Sequence, residues 1–113
     1  MSLAQLLAVD VQATLAELTA SSCASDILRY AAGATRTIVC GGGALNIHLM
    51  QRLQQRLASR EVVSSQSLGL PPLQVEAAAF AWLARKTIRR ETASLKSVTG
   101  ARGARVLGAI YPA

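Results

Sequence analysis

The chain has 113 residues, a formal charge of +6, 51% hydrophobic and only 16% charged residues. That suffices for a single domain over residues 1–113, is short for two, and is too apolar for a disordered segment. With two cysteines, one histidine and no apolar run longer than Ala77 to Ala84, the composition excludes a disulfide scaffold, a Cys/His metal centre and a membrane-spanning helix of roughly 18 apolar residues.

Positive mean hydropathy, +0.33, in so short a chain points to apolar surface that a missing domain or a partner covers. No charged segment precedes an apolar core at the start, so no signal peptide is expected. Met1-Ser2-Leu3 reads as a cloning remnant. Arg85, Lys86, Arg89 and Arg90 form the only cationic cluster, at the end of a predicted helix where cations suit the helix dipole. Aromatic residues are few, so a base-stacking platform, and with it nucleic acid, is not expected.

Residues 4–32 read as helix, from the spacing of Leu7, Val11, Leu15 and Leu18 along one apolar stripe. Ser21-Ser22 leaves one helix or two open, and Gly33 suits a helix C-terminus. Residues 36–40 follow as a β-branched strand. Residues 44–58 are the next helix, with Leu45, Leu49, Leu53 and Leu57 on one side and Gln51, Arg52 and Arg56 outward. Residues 61–64 are a second short strand. Strand, helix and strand at this spacing imply parallel pairing through a right-handed crossover. Residues 65–72 are loop, with Pro72 able to start a helix. Residues 73–89 form the most apolar helix, expected to be buried on most sides. Residues 91–105 read as loop, and 106–110 as a short strand or a surface cover. Cys23 and Cys40 read as buried small apolar side chains, and His48 as a half-exposed helix residue.

The centre of the chain is Thr37-Ile38-Val39-Cys40-Gly41-Gly42-Gly43-Ala44-Leu45-Asn46. A strand ends in three glycines and a helix begins. Glycines permit positive φ and close approach of a ligand to the backbone, and free N–H groups at a helix start attract anions. No Gly-Lys-Ser/Thr follows, so this is not a Walker A loop, and Asn46 stands where a dinucleotide fingerprint has its third glycine. A tight turn that binds nothing has the same sequence. Asn46 can reach a ligand or cap the backbone. Glu76 interrupts the apolar 73–89 helix in its first turn, as a partner of the helix dipole or as a carboxylate at a cleft rim.

Several segments taken together carry a resemblance. These are Asp10 to Leu15, Cys40-Gly41-Gly42-Gly43-Ala44-x-Asn46, Leu49-Met50, Val75-Glu76-Ala77 with Phe80-Ala81-Trp82-Leu83-Ala84, Ser97-Val98-Thr99-Gly100-Ala101, and Leu107 to Pro112. In this order and spacing the chain resembles the C-terminal part of anhydro-N-acetylmuramic acid kinase. The resemblance implies a helix-rich α/β fold, part of an actin-like ATPase domain of the sugar kinase and heat-shock ATPase type. It implies ATP and magnesium as cofactors, 1,6-anhydro-N-acetylmuramic acid as substrate, N-acetylmuramic acid 6-phosphate as product, a cytoplasmic homo-oligomer and a role in cell-wall recycling. Gly41, Gly42, Gly43 and Asn46 would line the nucleotide side, and Glu76 the sugar side. The family's first phosphate loop and catalytic aspartate have no counterpart here, so the chain is expected to be a fragment, inactive alone, with no catalytic residue of its own. It is also expected to self-associate through the 73–89 helix. The competing reading is a non-catalytic α/β interaction module whose glycine turn is purely structural.

Overall fold

The computed structural model describes residues 7–112; residues 1–3 and the first residues of the expected 4–32 helix lie outside them. The fold is α/β and rich in helix, with one two-stranded parallel sheet. The chain divides into two compact units between Leu73 and Gln74.

In the first unit, helix α1 runs unbroken over Ala8–Tyr30, so Ser21-Ser22 does not divide it. Its end is not set by Gly33. Ala31 closes the last turn, its N–H donating to the Ile27 carbonyl at 2.9 Å. The Arg60 guanidinium then donates to the carbonyls of Ala31 and Ala32, both at 2.8 Å. A cation on terminal carbonyls satisfies acceptors that the helix leaves open.

Strands β1 (Arg36–Val39) and β2 (Glu61–Ser64) pair in parallel, with Ile38 opposite Val63. Helix α2 (Ile47–Arg56) makes the crossover. The Gln54 side chain fixes α2 to β2: its amide nitrogen donates to the Arg60 carbonyl at 2.8 Å and its oxygen accepts from the Val62 N–H at 2.9 Å. Ala24, Leu53 and Leu57 form the buried cluster, with Ile27, Val39 and Val62 packed on it. The structure settles which side of α1 packs and corrects one expectation. The stripe Leu7, Val11, Leu15, Leu18 is exposed, and the alanine side of α1 makes the contact with α2 instead. Arg52 and Arg56 do not simply face outward: both pair with the Glu17 carboxylate of α1. The expected loop at 65–72 contains a 3-10 turn, Ser65–Leu68, ended by left-handed Gly69.

In the second unit, helix α3 spans Val75–Ile88, entered through a 3-10 turn that starts at Pro72. None of its residues is buried, and Phe80, Trp82 and Ile88 are exposed. The expectation of burial on most sides is therefore not met within this chain: an apolar helix shows that a cover is needed, not that the chain contains it. Residues 91–105 are not all loop. A short helix α4, Lys96–Thr99, ends at left-handed Gly100. Residues 106–110 form no strand and lie along α3, with the Thr87 hydroxyl bonded to the Leu107 carbonyl. The Lys86 ammonium sits over the Trp82 ring, 5.4 Å from its centroid, and pairs with Glu91. Among the described residues no helix is long and apolar enough to cross a membrane.

Candidate nucleotide site

The glycine turn leaves the end of β1 with a backbone only glycine adopts readily. Gly41 has φ 74° and ψ −173°, a region closed to side chains by clash with the backbone. Its N–H is spent on the Pro72 carbonyl at 3.0 Å, which anchors the turn to the segment after β2. Residues Gly42–Leu45 form one 3-10 turn. Ala44 N–H donates to Gly41 and Asn46 N–H to Gly43, at 3.2 and 3.1 Å. Among the described residues no acceptor is bonded to the N–H groups of Gly42 and Gly43.

The helix therefore starts later than the sequence suggests, at Ile47 and not at 44. Asn46 is its N-cap: the side-chain oxygen accepts from the Leu49 N–H at 3.1 Å. The capping reading of Asn46 describes the geometry, and among the described residues its amide nitrogen has no acceptor. An ideal Cβ at Gly41 or Gly42 would meet nothing within 4 Å, and one at Gly43 only the Leu49 side chain at 3.5 Å. Internal packing does not demand a glycine at 42. The turn is an open backbone with two donors that are free among the described residues, and it suits an anionic group approaching closely.

Gly41, Gly42, Gly43 and Asn46 are thus gathered at one turn. A groove beside them runs between α1 and the start of α2, lined by Val9, Gln12, Leu15, Asn46, His48 and Leu49. His48 is exposed on this groove. Glu76 belongs to the second unit, exposed in the first turn of α3, and makes no salt bridge among the described residues. Cys23 and Cys40 are free and exposed, contrary to the expected burial: Cys40 leaves the strand just before the turn, and Cys23 lies off the side of α1 that packs on α2.

Arg52 and Arg56 of α2 are already committed to the Glu17 carboxylate of α1. Hydrogen bonds from the guanidinium of Arg52, then of Arg56, lower the Glu17 carboxyl from 4.5 to about 2. Among the described residues no group of three His, Cys, Asp or Glu side chains is placed to hold a metal. Local sequence carried no sign of the Glu17 clamp, because its partners are 35 and 39 residues away. The spacing of Ala13, Ala16, Ala20 and Ala24 was the available signal that this side of α1 packs closely.

The family model for anhydro-N-acetylmuramic acid kinase matches residues 1–113. The chain belongs to this family. It is 68% identical over 104 residues to the anhydro-N-acetylmuramic acid kinase of Variovorax paradoxus (strain S110), covering 92% of this chain and 28% of that protein. Over 105 residues it is 68% identical to the enzyme of the same name from Albidiferax ferrireducens, covering 93% and 27%. The match to the Xanthomonas oryzae pv. oryzae (strain MAFF 311018) protein is 52% over 113 residues, all of this chain and 30% of the relative. The chain thus spans under a third of the length of these anhydro-N-acetylmuramic acid kinases.

Proposed function

We propose that this chain supplies part of the nucleotide and sugar cleft of an ATP-dependent kinase. The complete enzyme would open the 1,6-anhydro ring of anhydro-N-acetylmuramic acid with water. It would transfer the γ-phosphoryl group of ATP to the freed 6-oxygen, giving N-acetylmuramic acid 6-phosphate and ADP. Both units would be parts of one domain of an actin-like, two-domain enzyme, cytoplasmic and homo-oligomeric, acting in cell-wall recycling. The observation that carries the reading is the open Gly41–Gly43 turn with free donors on Gly42 and Gly43, in a chain matched throughout by the family model.

In this reading Gly42 and Gly43 direct N–H groups to the phosphate side of ATP, Gly41 gives the turn its shape, and Asn46 holds the start of α2 against it. Glu76 faces the sugar. Magnesium would travel with the phosphates: no carboxylate cluster here suits it, so no residue is assigned to it. Phosphoryl transfer also needs a group that orients the nucleophile. No residue of this chain is assigned that role, so the chain alone is inactive.

The test uses the space at residue 42. Gly42 has an ordinary φ and an open Cβ position, so Gly42→Leu keeps the fold and blocks close approach. Millimolar Mg-ATP should raise the melting temperature of the wild-type chain and leave that of Gly42→Leu unchanged. Equal shifts, or none in either, would favour the competing non-catalytic module. Sugar-dependent ADP release by the purified chain would refute its inactivity.

A further inference from the structure

The charge of the chain is unevenly divided. Before Gln74 there are five arginines and four acids; from Gln74 on there are seven lysines and arginines and two glutamates. Five of the six net positive charges therefore sit in the second, smaller unit. In the first unit Arg36, Arg52 and Arg56 are paired with carboxylates. In the second, among the described residues, only Lys86 is, with Glu91.

Helix α3 orders this charge. Positions i, i+3, i+4 and i+7 share one side of a helix. Phe80, Leu83, Ala84 and Thr87 follow that spacing and line a cavity together with Leu107 to Ile110. Trp82, Arg85, Lys86 and Arg89 follow it two residues on, so they lie on the opposite side. Trp82 is 47% exposed, Arg85 and Arg89 are exposed, and the Lys86 ammonium is 5.4 Å from the centre of the Trp82 ring. The other acid of the helix, Glu76, stands in its first turn, away from this end.

An exposed tryptophan among arginines has the composition of an interaction hot spot, and the charge says what it meets. A second copy would bring the same cations to a two-fold contact, where like charges repel. A permanent cover from the same polypeptide would strip water from these cations at high cost, and permanent interfaces are apolar. A helix lying in a membrane surface needs its apolar side towards the lipid, and that side of α3 is turned to Leu107 to Ile110. Single-stranded nucleic acid is held by several stacked rings, and this side has one. Carboxylates fit: arginine forks match them, and charge-rich contacts are steered and reversible. We propose that the Trp82, Arg85, Lys86 and Arg89 side of α3 is a docking surface for an acidic, carboxylate-rich segment of a separate protein. Docking there depends neither on ATP nor on the sugar nor on the glycine turn.

Trp82 is the only tryptophan, so its fluorescence reports contact with this side directly. Poly-L-glutamate, oligothymidylate and phosphatidylglycerol vesicles are titrated into the chain at matched anion concentration. Poly-L-glutamate should shift the Trp82 emission saturably, and ~1 M salt should abolish the binding. Arg85→Gln with Arg89→Gln should weaken it at least ~10-fold. Lys96→Gln with Arg102→Gln removes the same charge elsewhere in the second unit and should weaken it less than ~3-fold. All four positions are exposed, so both double variants should keep the helix content of the wild type. An unmoved emission, tighter binding to oligothymidylate or to the vesicles, or equal losses in the two double variants would overturn the proposal.

Discussion

Helices α2 and α3 make opposite use of apolar residues. Helix α2 is the more polar and amphipathic of the two, yet Leu53 and the capping Leu57 are buried. Helix α3 is apolar almost all round from Val75 to Leu83 and buries nothing. The difference is closure. Parallel pairing of β1 and β2 places Val39 and Val62 in one layer, α2 crosses over it, and α1, the element before β1, packs on the same cluster through Ala24 and Ile27. Within the second unit, among the described residues, helix α3 has the following segment against it, held by Thr87 and the Leu107 carbonyl. Burial follows long-range partners and not apolar content, and the second unit has few of them.

The sharpest way to break this comparison is Leu57→Ala. Leu57 is 1% exposed, and truncating a fully buried leucine costs about 2–5 kcal/mol. The loss should appear as faster amide exchange across α1, β1, α2 and β2. Leu83→Ala, at a half-open position of α3, should cost under ~1 kcal/mol. Equal losses would mean that α3 is packed as tightly as α2.

The next effect separates two neighbouring glycines. Gly41→Ala forces a side chain into a glycine-only backbone region and should cost about 1–3 kcal/mol. Gly42→Ala meets open space and should change the melting temperature little. If the two variants melt alike, the turn at Gly41 relaxes in solution and its shape is not fixed by the Pro72 anchor.

These contrasts also show what the sequence carried. The strands at 36–39 and 61–64 were legible because β-branched runs bounded by glycine and loop residues have few alternatives. The turn and its Asn46 cap were legible because both are local chemistry, although the 3-10 turn moved the helix start by three residues. Which side of α1 packs was not legible. Large aliphatic residues draw the eye to Leu7, Val11, Leu15 and Leu18, whereas close helix contact favours the alanines. The Glu17 clamp and the Arg60 cap on α1 depend on residues that only the fold brings together. The family was legible from ordered motifs, and Glu76 was legible only as an acid in an apolar helix.

The clamp makes a smaller, pH-dependent difference between the units. Glu17 is lowered to about 2 in the folded chain from an ordinary 4.5. Its stabilising contribution is therefore complete above about pH 4.5 and is lost as the pH falls towards 2. Melting temperature should decline across that window, and Glu17→Gln should flatten the decline while lowering stability at neutral pH. Glu91, lowered by its hydrogen bond to Lys86, acts in the same direction in the second unit. An acid limb unchanged by Glu17→Gln would transfer that dependence to Glu91 or to another acid.

The smallest expected effect on stability belongs to Glu76, and it carries the most functional weight. Glu76 stands in the first turn of α3, where a carboxylate favours the positive end of the helix dipole by about 0.3–1 kcal/mol. It is exposed and has no salt bridge among the described residues. Nothing inside the second unit therefore requires an acid there beyond the dipole. Glu76→Gln keeps the shape and most of the hydrogen-bonding capacity while removing the charge. In the isolated chain it should shift the melting temperature by no more than the dipole accounts for. In a complete enzyme carrying this segment, a carboxylate that contacts the sugar or the attacking water should be worth roughly a hundredfold in turnover. Steady-state kinetics of that assembled variant decide between the two. Unchanged turnover and sugar affinity would leave Glu76 as a helix residue. A large loss of turnover with normal stability would place it at the reacting sugar, where the charge and not the fold is what the position supplies.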